Sequence, residues 1–186
     1  KAIQAETDCD IFLDLKLHDI PHTVSGAAKA VAHLAPKFLT VHCSGGTAMV
    51  KAAVDALPNT QVTGVTILTS LSEADVTEIG FKSAALDSAV ALSRIAVNAG
   101  ASAIVCSPLE ISAVRGEVGA SPIIITPGVR PLDMVGTDDQ QRTMTPEDAI
   151  AAGANLVVIG RPITQSWAQG AQAMKERAQE IGADLI

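Results

Sequence analysis

The sequence predicts an α/β protein, a closed (β/α)8 TIM barrel with about six of its eight βα units present, in a single domain over residues 1–186. Three observations predict it. Short β-branched runs alternate with Ala-rich helical stretches along the whole chain, the pattern of repeated βαβ units and a parallel sheet. Only 2% of the residues are aromatic, so Ala, Val, Ile and Leu must do the packing, which suits helices laid on parallel strands. No Gly-rich dinucleotide fingerprint follows the first run, and nothing marks a reversal of strand order, which argues against an open doubly wound sheet.

The elements follow in order. A first strand is expected over residues 11–15, followed by a helix over 22–35 that stops before Pro36, because proline disfavours helical backbone in the residue before it. A strand over 38–42 with a helix over 47–57 makes the second unit, and a strand over 62–68 with a helix over 86–98 the third. The fourth pairs residues 103–106 with a helix over 108–118, and the fifth pairs 123–126 with a helix over 146–152. The sixth has a strand over 156–159 and a helix over roughly 164–181. A closed barrel needs eight strands, and residues 1–8 read as the tail of a helix ahead of the first strand, so two βα units are expected upstream of Lys1.

A chain of 186 residues with 48% hydrophobic and 18% charged residues can bury a substantial core, which excludes disorder. The formal net charge of −7 repels nucleic-acid polymers and anionic membrane surfaces but permits a small phosphorylated ligand, held by a few basic residues in one pocket. Three widely spaced cysteines, Cys9, Cys43 and Cys106, suggest buried thiols in a reducing cytoplasm. No apolar run approaches the roughly 20 residues that span a bilayer, and no signal-peptide pattern opens the chain.

In Ile11-Phe12-Leu13-Asp14-Leu15-Lys16 the period of two puts Asp14 and Lys16 on one face of the strand and Leu13 and Leu15 on the other. Two opposite charges thus enter the barrel mouth together, and Asp19 follows just past the strand. An ion pair that only satisfies itself is the ordinary reading of two neighbouring charges. Desolvating them is expensive, however, and a strand that could be wholly apolar carries them at its C-terminal end, where barrel enzymes place their chemistry.

Val157-Val158-Ile159-Gly160-Arg161-Pro162 ends the last strand with a glycine for close backbone approach, a cation and a proline suited to a first helical turn. That describes a phosphate site, and barrels often bind phosphate in the loops after their last two strands. The alternative is an ordinary βα turn with an exposed arginine. Arg130, in Thr126-Pro127-Gly128-Val129-Arg130-Pro131, stands at the base of the single long polar loop, from Arg130 to Thr145, and can reach the same anion. A loop of that length in a compact domain is usually functional, and its Gln140 can donate amide hydrogen bonds to phosphate oxygens.

His42 ends its strand on the same face and reads as a hydrogen-bonded scaffold residue. Thr69 and Ser70, expected to end the strand over 62–68, can either hydrogen-bond a heterocycle or cap a turn. No His/Cys cluster has zinc spacing and no nucleophilic triad assembles, so no metal is indicated.

The stretch Asp14-Leu15-Lys16-Leu17-His18-Asp19-Ile20-Pro21-His22-Thr23 resembles the D-x-K-x-x-D-I-P-x-T pattern of the orotidine 5′-monophosphate decarboxylases, bacterial type. Val41-His42-Cys43-Ser44-Gly45-Gly46, Leu68-Thr69-Ser70, Thr126-Pro127-Gly128-Val129-Arg130-Pro131, Asp139-Gln140-Gln141-Arg142 and Val158-Ile159-Gly160-Arg161-Pro162 follow in the family's order, over nearly the whole chain. The resemblance implies a cofactor-free loss of CO2 from orotidine 5′-monophosphate to give uridine 5′-monophosphate, through a Lys-Asp-Lys-Asp charge array. It implies that Asp14 sits against the substrate carboxylate, that Lys16 stabilises and protonates the C6 carbanion, and that Asp19, Ile20 and Thr23 reach a partner's site across a homodimer. It further implies that Thr69 lies near the pyrimidine while Arg130, Gln140, Gly160 and Arg161 hold substrate, chiefly its phosphate. The physics agrees, since like charges ~4 Å apart repel by about 4 kcal/mol at an effective dielectric of ~20, and CO2 loss relieves that repulsion. A preplaced cation is worth most where negative charge grows toward the transition state.

The family's pattern also has an Asp on the first strand and a Lys on the second, both N-terminal to Asp14. A chain that began at Lys1 is expected to lack them and to be inactive or poorly folded. The nearest alternative is the Mg²⁺-dependent 3-keto-6-phosphogulonate decarboxylase, which shares the D-x-K-x-x-D strand; Ile20-Pro21 with Thr23 and the Gln140/Arg142 loop argue against it. From another class, a non-catalytic nucleotide-binding subunit would bind uridine 5′-monophosphate without turning over substrate.

Overall fold

Short apolar runs become strands β1 (Phe12–Leu17), β2 (Phe38–His42), β3 (Gln61–Val65), β4 (Ala103–Val105), β5 (Ile123–Thr126) and β6 (Leu156–Val157). They form one sheet in the order β1-β2-β3-β4-β5-β6, and the pairs β1–β2, β2–β3 and β5–β6 are parallel. Sequential order with parallel pairing requires a crossover after each strand, here mostly helical. This computed structural model describes residues 8–131, 143–183 and 185. Residues 1–7 of the expected N-terminal helix tail lie outside that set.

The helices are α1 (Pro21–Val31), α2 (Gly46–Ala56), α3 (Glu73–Glu78), α4 (Ala85–Asn98), α5 (Ile111–Val118), α6 (Pro146–Ala151), α7 (Arg161–Thr164) and α8 (Ala171–Ala183). Helix α1 starts with Pro21, whose missing N–H costs nothing in a first turn, and closes through a 3-10 turn to Ala35. Helix α3 was not expected. Its sequence is mostly polar and owes its start to a capping box, in which Ser72 and Asp75 exchange side-chain and backbone bonds. The last predicted helix, over 164–181, is divided: α7 passes into a 3-10 stretch at Gln165–Gln169, and Gly170, at φ 109°, separates that from α8.

The chain divides into two units. The first takes in β1 to β3 with α1 and α2, plus Ala91–Ile104 and Val118–Pro122. Its strand β2 is buried from Phe38 to Val41, the mark of a strand covered on both faces. Leu39 packs with Ala28 of α1 and Leu57 after α2, and Leu13 and Leu17 of β1 pack against that cluster. Fully burying one such leucine stabilises by about 1.5–3 kcal/mol. At Gly64 a Cβ would lie 2.6 Å from Cys43 Sγ and 2.7 Å from the Ala96 Cβ, so only glycine lets β3 pack this closely.

The second unit takes in Ile67–Val90, Val105–Glu117 and the chain from Ile123 onward. Thr126 Oγ1 donates to the Cys106 carbonyl at 2.9 Å, and the Cys106 N–H donates to the Ile125 carbonyl at 3.3 Å. Asn155 Oδ1, ahead of β6, accepts from Arg115 Nη2 at 2.6 Å and from the Ile124 N–H at 2.8 Å.

Two of the three thiols are buried as expected. Burial pushes the Cys43 thiol up to about 12 and, with the nearby Glu110 charge adding, raises that of Cys106 as well. Cys9 is exposed, contrary to expectation, because it lies in an irregular segment between Asp8 and Asp10 rather than in a strand. Among the described residues no helix is long and apolar enough to cross a membrane.

Candidate active site

Strand β1 departs from regular pairing at the residues that carry charge. Phe12 and Leu13 pair with Phe38 and Leu39, but Leu17 pairs with Val41, so Asp14, Leu15 and Lys16 together stand opposite Thr40. Lys16 absorbs the extra length in left-handed backbone, with φ 49°. That conformation costs a non-glycine residue roughly 1–2 kcal/mol, and bulges that re-aim a side chain are frequent beside active sites.

The strict alternation expected of Asp14 and Lys16 therefore fails, because a period of two holds only for unbroken extended backbone. Leu15 is 45% exposed rather than packed opposite the charges. The two charges meet all the same: Lys16 Nζ donates to Asp14 Oδ2 at 2.5 Å.

Thr40, buried on β2, bonds to both residues. Its Oγ1 accepts from the Lys16 N–H at 2.8 Å and donates to Asp14 Oδ1 at 2.8 Å. Two residues further on, at the end of β2, the His42 ring lies 5.4 Å from that of His18, tilted by 52°. His18 Nε2 in turn is 3.3 Å from Ser44 Oγ. Burial chiefly, then the neighbouring His18 and Lys16, hold the His42 pKa below its ordinary value, with Asp14 opposing in part. A neutral imidazole thus stands beside the ion pair at pH 7, consistent with a scaffold role.

Asp19 Oδ1 accepts from the Ile20 N–H at 2.6 Å at the entrance to α1. Ile20 is 65% exposed, and Asp19 and Thr23 are exposed beside it. All three face solvent from the same short stretch.

The second unit holds the other expected residues. Thr69 and Ser70 do not end a strand: β3 stops at Val65 and they occupy a turn beyond it, closed by the Leu71 N–H on the Leu68 carbonyl at 3.1 Å. The apolar run continues past the last ladder bond, which is why composition alone extended the strand. Gly128, at φ 75°, turns the chain after β5 and leads to Arg130, which is only 5% exposed. Arg130 Nη1 donates to the Val129 carbonyl at 2.8 Å and its N–H donates to the Met144 carbonyl at 2.9 Å. Gly160 precedes α7 with open space where a Cβ would point, and Arg161 is exposed at the helix start, followed by the buried Pro162. Gln140, with Gln141 and Arg142, lies outside the described residues.

Sequence reasoning did not single out Thr40 or His18. A threonine inside Phe38-Leu39-Thr40-Val41-His42 reads as a good strand former, and only a buried hydroxyl in an otherwise apolar run signalled more. Among the described residues no group of three or more His, Cys, Asp or Glu side chains is placed to hold a metal ion. In the first unit the arrangement supplies a cation held by a fixed carboxylate, able to face a developing negative charge.

The sequence is similar to known proteins over most of its length. It is 52% identical over 185 residues to the orotidine 5′-phosphate decarboxylase of Thermobifida fusca (strain YX), covering 98% of this chain and 79% of that one. It is 50% identical over 155 residues to the enzyme of that name from Frankia casuarinae, covering 83% of this chain and 56% of that one. The crystal structure of orotidine 5′-phosphate decarboxylase from Lactobacillus acidophilus superposes with a TM-score of 0.81 at 34% identity, covering 97% of this chain and 77% of that one. The fold class is therefore that of the α/β TIM barrels. The sequence model described as the orotidine 5′-phosphate decarboxylase / HUMPS family matches residues 1–176, and the chain belongs to that family.

Proposed function

We propose that this protein is a carboxy-lyase that converts orotidine 5′-monophosphate to uridine 5′-monophosphate and CO2, the last step of de novo UMP biosynthesis, without a cofactor. The observation that carries this reading is the bulge of β1, which sets Lys16 Nζ against Asp14 Oδ2 in a chain of this family. The bond from C6 to the carboxylate breaks, CO2 departs, and the electron pair stays on C6. Asp14 stands against the departing carboxylate, so its repulsion is relieved as CO2 leaves. Lys16 faces the growing negative charge and then delivers a proton from Nζ to C6. An interaction that strengthens toward the transition state is the kind that raises kcat.

Thr69 lies near the pyrimidine, and Arg130, Gln140, Gly160 and Arg161 hold substrate, chiefly its phosphate. Binding energy from a phosphate remote from C6 then supports the chemical step. The protein works as a cytoplasmic homodimer in which Asp19, Ile20 and Thr23 reach the partner's site. The solvent exposure of all three, including a bare isoleucine, supports that reading. The six strands belong to one barrel domain.

The test is conversion of orotidine 5′-monophosphate by the full-length protein, followed by chromatography of the nucleotides with and without EDTA. Turnover to uridine 5′-monophosphate that EDTA leaves unchanged is the expected result. Turnover of 3-keto-6-phosphogulonate that depends on Mg²⁺ would instead identify the metal-dependent relative. Tight binding of uridine 5′-monophosphate without any turnover would make the protein a nucleotide-binding subunit.

A further inference from the structure

We infer that Thr40 is a positioning residue for the reaction: its buried hydroxyl sets the backbone of Lys16 and the carboxylate of Asp14 at once. The inference rests on the decarboxylase reading above and adds to it a residue that acts through Asp14 and Lys16.

The geometry makes the role specific. Thr40 is 1% exposed and is the sole β2 residue opposite Asp14, Leu15 and Lys16. A bulge removes ladder partners from the strand that carries it, and here a side chain replaces one of them: the Lys16 N–H donates to Thr40 Oγ1 at 2.8 Å. A hydroxyl has a single proton, and an amide N–H cannot accept it, so that proton goes to Asp14 Oδ1, also 2.8 Å away. The direction of both bonds is thereby fixed, and each polarises the other. That bond orients the carboxylate, and its other oxygen, Oδ2, meets Lys16 Nζ. One oxygen atom thus orients the carboxylate that meets the ammonium and holds the left-handed backbone from which the lysine side chain departs.

Valine has the shape and β-branching of threonine without the hydroxyl, so Thr40→Val removes both bonds while keeping the packing of β2. Displacement of a catalytic group by about 1 Å costs on the order of 10²-fold in rate. Thr40→Val is accordingly expected to lower kcat by roughly that factor, with KM for orotidine 5′-monophosphate and the Kd of uridine 5′-monophosphate left near wild type. Thr40→Ser, which keeps the hydroxyl, is expected to restore most of kcat. The exchange of the Lys16 amide hydrogen should speed up in Thr40→Val and remain slow in Thr40→Ser.

Wild-type kcat in Thr40→Val would overturn the inference. So would a serine variant as slow as the valine one, or a loss of uridine 5′-monophosphate binding in step with kcat, since either marks a purely structural residue. If Thr40→Val does not fold, Thr40→Ala and Thr40→Ser are compared by the same readouts, and equal turnover in the two overturns the claim. A folded wild-type protein that turns over no orotidine 5′-monophosphate would refute the decarboxylase reading instead, and the exchange rates of the Lys16 amide would then decide the role of Thr40.

Discussion

Lys16 Nζ lies 2.5 Å from Asp14 Oδ2 with only Leu15 between the two residues in sequence, and the bulge of β1 brings them together. In a regular strand the two Cα atoms would stand about 6.6 Å apart with parallel side chains, a poor arrangement for a close ion pair. The pair is more than a third exposed on both sides, so its contribution to stability is small, and the proposed role of Lys16 is in the reaction.

Removing the cation should therefore act on rate. Lys16→Ala is expected to lower kcat on the order of 10³-fold or more while the Kd of uridine 5′-monophosphate stays near wild type. Arg161→Ala should do the reverse, raising KM about 10- to 100-fold as a charged hydrogen bond to phosphate is lost. Steady-state kinetics with nucleotide titration checks the division; equal effects of each change on both parameters would contradict it.

Shared sites can be tested by mixing inactive proteins. Lys16→Ala and Asp19→Asn homodimers should each be defective, whereas random exchange of subunits regenerates an intact site in each heterodimer, about a quarter of all sites. Activity rising toward that fraction after mixing is the expected outcome. A mixture as inactive as its components, with exchange verified by mass spectrometry, would remove Asp19 from the partner's site.

The lowered His42 pKa makes stability depend on pH. Burial, His18 and Lys16 disfavour the imidazolium in the folded state, so the unfolded chain binds the proton more readily. The contribution is complete above the unfolded value of 6.5 and is lost as pH falls from there through the folded pKa. Urea midpoints should thus decline between about pH 7.5 and pH 5, and His42→Asn should flatten the decline. An equally steep fall in the variant would assign it to other groups.

Packing around β3 gives a stability test independent of catalysis. Gly64→Ala forces a methyl against Cys43 Sγ and Ala96 and is expected to destabilise by about 1–3 kcal/mol, a Tm loss of roughly 2–12 °C for a chain of this size. Gly26→Ala, in α1 where a Cβ meets nothing within 4 Å, should raise stability by about 0.5–1 kcal/mol through helix propensity. Differential scanning calorimetry of both variants suffices; an unchanged Tm for Gly64→Ala would mean the neighbours yield freely.

The fold was legible where burial and punctuation agree. Strands β2 and β5 fall at their expected bounds because each is a short apolar run with polar or proline-bearing flanks. The end of β3 was not legible, since a β-branched Thr66 and the apolar Ile67-Leu68 continue the strand-like pattern after pairing stops, and hydropathy cannot report hydrogen bonds. Helix α3 was missed because its start is fixed by Ser72 and Asp75 rather than by an apolar stripe. Within the site, the residue types point to Asp14 and Lys16, and the two side chains do meet, but the face argument used to bring them together fails because the bulge breaks the alternation. A left-handed lysine leaves no trace in composition, and the hydroxyl opposite it becomes meaningful only once the register is known.

The carboxamide of Asn155 bears on how the second unit comes apart. Its Oδ1 is engaged at once by a guanidinium from α5 and by the Ile124 N–H of β5, so the approach to β6 cannot fray alone. Opening this end exposes Arg115 and the Ile124 amide together, which fuses helix, strand and turn into one cooperative block. An element as short as Leu156–Val157, with few ladder bonds of its own, thereby borrows its lifetime in the folded state from its neighbours.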